Sequence, residues 1–101
     1  MLVINAEIPV NPDERERALE IASDLSEKSR AEDGVIDYRV SIDVDDPNVL
    51  RILEQYEDQE AFDTHMEAEH TQNFLAELPS LIAGEVEANR LKVKSRAELE
   101  I

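Results

Sequence analysis

Hydrophobic periodicity along this chain switches between two and about 3.6 residues, and the order of those switches allows few folds. Residues 2–10 alternate, with Leu2, Ile4, Ala6, Ile8 and Val10 on one side and Val3, Asn5 and Glu7 on the other. That is the period of a half-buried strand. Asn11-Pro12-Asp13-Glu14 then reads as a helix start, with a capping Asn, Pro in the first turn and acids at the positive end of the dipole. Ala18, Ile21, Ala22 and Leu25 keep helical spacing to about Arg30, and Asp33-Gly34 turns the chain. Period two resumes over residues 35–43, where Ile36, Tyr38, Val40 and Ile42 share a side. Asp45-Asp46-Pro47-Asn48 is a turn, and residues 49–56 return as the second arm of a hairpin.

Asp58 caps a second helix that presents Phe62, His65 and Met66 together. Thr71 restarts it with Phe74, Leu75 and Leu78 on one stripe, Pro79 bends or ends it, and Gly84 closes it. Residues 86–93 read as a last strand and residues 95–101 as a tail. The order βαββαβ predicts an α+β, ferredoxin-like domain over residues 1–94. Its four strands form one antiparallel sheet with the helices on one face. The strands carry apolar residues on both sides, so the uncovered face predicts a second layer, most simply a second copy of the chain.

Twenty-five acidic and ten basic residues give a net charge of −15. Such a surface argues against nucleic acid, whose phosphates need cations, and against anionic membranes. The acids are interleaved with regular apolar periods, so the composition is that of a folded chain and not of acidic disorder. Lysines number three and arginines seven. This acid-covered, lysine-poor pattern looks like that of a halophilic protein, whose self-repulsion is screened where molar salt shortens the Debye length to about 3 Å. An ordinary acidic mesophile protein has the same composition within reach. There is no cysteine, which excludes disulfides, thiolate metal sites and thiol nucleophiles. No apolar run spans a bilayer and the first residues lack a signal-peptide shape, so a cytoplasmic location is expected.

His65 and His70 are the only histidines, and no other side chain here has an unperturbed pKa near neutrality. His65, on the inward stripe of its helix, reads either as a pocket base or as a structural histidine bonded to a backbone carbonyl. His70 reads as a turn or cap residue. At i and i+5 the pair does not share one face of a helix and no third ligand is adjacent, so no metal site is expected. Asn5 is polar within an apolar alternation, a candidate to hold a substrate oxygen or simply to face a partner sheet. Tyr38 and Tyr56 are candidates to line a pocket, or else core aromatics with satisfied hydroxyls.

The run from Glu54 to His70 resembles the signature of the antibiotic biosynthesis monooxygenase superfamily. Glu54, Tyr56, Asp58, Ala61, Phe62, His65 and His70 stand at the matching places. Glu32-Asp33-Gly34, leading into the second strand, resembles that family's Glu-x-Gly run, and the opening strand fits as well. Tyr56 stands where Trp is common, and Ala68-Glu69 replaces the small hydroxyl and Pro that often precede the second His. The resemblance implies a homodimer whose sheets meet as an α+β barrel, with a pocket between sheet and helices in each protomer. It implies a cofactor-independent oxidation of a small phenol or quinol by O₂. His65 and Asn5 would carry the chemistry, and Tyr38, Tyr56, Phe62, Met66 and Phe74 would bind the substrate. Against the heme-degrading branch, His65 occupies the place of its Trp, and Phe74-Leu75-Ala76 stands where its ligating His would be, so no heme or other cofactor is expected. Two other readings use the same fold: a non-catalytic dimeric binding or stress module, and an isomerase of a small carbonyl compound.

Overall fold

The computed structural model describes residues 1–101. Strand β1 (Leu2–Pro9) leads through a 3₁₀ turn to helix α1 (Arg15–Arg30). Strands β2 (Val35–Ile42) and β3 (Val49–Tyr56), helices α2 (Gln59–Glu67) and α3 (Glu69–Leu81) and strand β4 (Glu87–Lys92) complete the chain. The strands form one antiparallel sheet in the order β2-β3-β1-β4. This is the expected ferredoxin-like α+β arrangement, with the second helix in two pieces. No helix is long and apolar enough to cross a membrane.

Local chemistry explains the joints. Asn11 Oδ1 accepts the Asp13 amide at 3.0 Å, and Pro12 opens the short turn that feeds α1. At the other end of α1, Ser26 Oγ and Arg30 Nη1 both donate to the Tyr38 carbonyl, at 3.0 and 2.9 Å, which ties the helix to β2. The β2–β3 register slips between Val35 and Asp37, so Ile36 is the extra residue of a bulge. The simple alternation of residues 35–43 therefore fails at its start. Val35 packs on the core, while Ile36 is exposed and does not share the burial of Tyr38. α3 begins at Glu69, two residues before the expected restart at Thr71, and runs through Pro79 to Leu81. The chain leaves it extended at Ile82, which bridges to Val10, while the Asn11 amide bonds the Leu81 carbonyl at 2.8 Å. Pairing with the end of β1 thus stops this helix, and Gly84 is not needed for it.

One face of the sheet packs against the helices. Ala6, Ile8, Leu50 and Ile52 meet Ala18, Ala22 and Leu25 of α1 and Phe74 and Leu81 of α3. A second, smaller cluster of Leu2, Ile4, Tyr56 and Ala61 lies under α2. Between the two clusters stand the polar side chains of the candidate site.

Candidate active site

The site is assembled by a turn, a strand pair and a broken helix. After α1, Gly34 adopts φ +84°, a conformation open to glycine at little cost. Its carbonyl accepts the Glu57 amide at 2.8 Å, and a Cβ on it would lie 2.6 Å from the Ala61 Cβ. This close approach brings the turn against α2, so that Glu32 reaches His65. The Glu32 Oε2 atom stands 2.8 Å from His65 Nδ1 and 2.7 Å from His70 Nε2. One carboxylate oxygen thus receives both imidazoles.

The pairing of the two histidines overturns the expectation from their spacing. On a continuous helix, residues five apart lie about 140° apart around the axis. Ala68, however, is extended (φ −63°, ψ 144°), and it breaks the helix between the two histidines. The rings then come within 6.1 Å, centroid to centroid, and Glu32 arrives from 33 residues upstream as the partner of both. No sequence adjacency revealed it. His70 accordingly sits inside the first turn of α3 as a partner of Glu32, not as a cap.

His65 is only 2% exposed. Its ring lies between Tyr38 and Tyr56, with centroids at 5.4 and 5.5 Å, and Thr71 Oγ1 is 3.4 Å from each ring nitrogen. Tyr56 donates a short hydrogen bond to Glu54 Oε1. Burial pushes the Glu54 carboxyl up to about 7, against the Tyr56 hydrogen bond that lowers it. Burial raises both phenols far above their ordinary value, and the Glu54 charge adds to this. Tyr38 and Tyr56 therefore stay neutral hydrogen-bond donors at any working pH.

Of the residues singled out from the sequence, His65, Tyr38 and Tyr56 come together, and Phe62 joins them edge-on to Tyr56 at 5.3 Å. Met66 is half-buried on α2, and its carbonyl accepts Gln72 Nε2 at 2.6 Å. Phe74 belongs to the α1–α3 core, and beside His70 it lines a groove of about 570 Å³ between those helices. Asn5 is exposed on the helix-free face, across the sheet from His65, so the two do not form one site within the chain. Its parity places it there: Ile4 and Ala6 face the helices. His65 is buried and lines neither the α1–α3 groove nor the groove between α1 and β2. Sequence reading missed the chemical roles of Glu32, Glu54 and Thr71. A signal existed for Glu54, the one charged residue on the inward side of β3 among Leu50, Ile52 and Tyr56.

The model of the antibiotic biosynthesis monooxygenase family matches residues 1–77. The chain belongs to that family. This monooxygenase-family chain is 33% identical to the protein named "Putative monooxygenase YcnE" from Bacillus subtilis (strain 168), over 92% of the chain and 98% of the relative. Among solved structures, it is similar to Rv0793 from Mycobacterium tuberculosis (25% identity, TM-score 0.89, covering 96% of this chain and 98% of that one). It is also similar to a conserved protein from Methanosarcina mazei Go1 (26% identity, TM-score 0.87, 92% of each chain). These likenesses support a monooxygenase-like function in general.

Proposed function

We propose that this chain is a cofactor-independent oxygenase of a small phenol or hydroquinone. The observation that carries the reading is the buried Glu32–His65 pair flanked by two neutral tyrosines. A proton on His65 Nδ1, donated to Glu32, fixes the tautomer and leaves Nε2 as a proton acceptor. A phenolic O–H that gives its proton to Nε2 becomes an electron-rich phenolate, which passes an electron to O₂ directly. The balance closes without another reductant. A hydroquinone and O₂ give a hydroxyquinone and water, and all four electrons come from the substrate. Tyr38 would hold the oxyanion in a dry setting where hydrogen bonds count for most, beside the ring of Tyr56, whose own hydroxyl hydrogen goes to Glu54. Phe62 would turn aside to admit the substrate, with Met66 and Phe74 as further apolar contacts. The working unit is a homodimer, in which Asn5 faces the partner sheet.

The test is oxygen uptake with a panel of hydroquinones and naphthols in high salt, comparing wild type with His65→Ala. A loss of about 10²–10⁴-fold is expected for removal of a general base. Equal rates would remove His65 from the chemistry. The sealing of His65 favours one second reading, a non-catalytic dimeric module. Absence of uptake by the wild type across the panel would select it.

A further inference from the structure

We propose that Glu32, His65 and His70 form a three-ligand site for a divalent transition-metal ion of the zinc, cobalt or nickel class. Their donor atoms all lie within 4.8 Å of one another. A tetrahedral ion with ligands at about 2.1 Å holds its donors roughly 3.4 Å apart. The two contacts to Glu32 measure 2.8 and 2.7 Å, so each would open by well under an ångström, and the two imidazole nitrogens, within 4.8 Å of each other, would adjust to the same spacing by rotation of the side chains. Two imidazoles and one carboxylate suit a borderline ion. Calcium and magnesium prefer all-oxygen sites, and copper(I) prefers sulfur.

Two further features fit an ion. Glu32 Oε1 is buried without a hydrogen-bond partner, so the carboxylate has a second oxygen to offer. Thr71 Oγ1, 3.4 Å from the His65 nitrogens, stands as an outer support for that ring. Access is provided as well. His70 is partly exposed and lines the α1–α3 groove together with Glu20, Asp24, Glu27, Glu77 and a single lysine, Lys28. An acid-lined groove on a chain of charge −15 concentrates cations at its mouth. A metal on His65 Nδ1 replaces the proton shared with Glu32, so the loaded site and the base described above exclude each other.

The inference stands apart from the oxygenase reading, because its test reads binding and not turnover. Chelator-treated full-length protein is titrated with Co²⁺ in molar KCl, which screens loose binding to surface acids, and the visible d–d absorption is followed. One ion per chain is expected, displaced by Zn²⁺. His70→Ala and Glu32→Gln should each weaken binding about tenfold or more, with circular dichroism confirming the fold. The groove variant Asp24→Asn/Glu27→Gln should leave saturable binding in place. No saturable Co²⁺ spectrum for the wild type, or an unchanged affinity in His70→Ala, would overturn the site.

Discussion

The least ordinary residue is Glu54, a carboxyl 8% exposed on the inward side of β3, bonded by Tyr56. Its folded value of about 7 against an ordinary 4.5 means that the folded state holds a proton that the unfolded state releases between those pH values. The contribution is fully present below pH 4.5 and is lost as pH rises through about 7. The window corresponds to stability on the order of 3 kcal/mol. Denaturant unfolding in high salt should therefore show wild type losing stability relative to Glu54→Gln between pH 5 and 8, by roughly that amount. Parallel curves for the two proteins would contradict it. The same residue bears on the site, since its charge helps keep Tyr38 and Tyr56 neutral beside His65.

At the scale of elements, two joints decide where the site side chains meet. One is the turn at Gly34, whose positive φ and close approach to Ala61 let Glu32 reach α2. Gly34→Ala should cost roughly 2–4 kcal/mol, the sum of left-handed strain and overpacking. The double variant Gly34→Ala/Ala61→Gly should recover the overpacking share only, a coupling that a double-mutant cycle in urea measures. Additive losses would show that the contact with Ala61 is not what excludes a side chain. The other joint is the extended Ala68, which splits α2 from α3 and turns His70 toward Glu32. The elements themselves were legible, because capping and period are local: Asn11 and Asp58 cap as their positions suggest, and residues 49–56 form β3 as expected. The bulge at Ile36 and the early start of α3 were not, because strand register and tertiary pairing set them.

For the whole molecule, charge and the bare sheet face matter most. At −15 the surface repels itself, and mobile ions screen that repulsion. The melting temperature should climb between dilute buffer and molar KCl, and a flat response would end the halophilic reading. The helix-free face exposes Leu53 and Leu91 and keeps Val3 half-buried. Its cations are answered within the chain: Arg51 pairs with Glu7 at 2.7 Å and Asp43 at 2.8 Å, and Arg39 with Asp37 at 2.9 Å. A charge-compensated sheet with apolar residues on its open side is suited to a second copy of itself. Light scattering in high salt is expected to give twice 11.5 kDa, with Leu53→Asp shifting the mass toward the monomer. A wild-type monomer would sink the dimer proposal.

The sequence by itself determined the order βαββαβ, the inward side of β1, the caps at Asn11 and Asp58 and the acidic surface, since each follows from neighbours a few residues apart. It also placed Asn5 on the side away from Ile4 and Ala6, by parity alone, and the structure keeps it there. Only the tertiary structure decided that Glu32, His65 and His70 share one carboxylate oxygen, across 33 and 38 residues of chain. That meeting depends on a helix break at an unremarkable alanine and on a glycine turn pressed against a second helix. Neither a period nor a spacing encodes which way side chains point beyond such joints, because the packing of α2 and α3 on the sheet sets those directions.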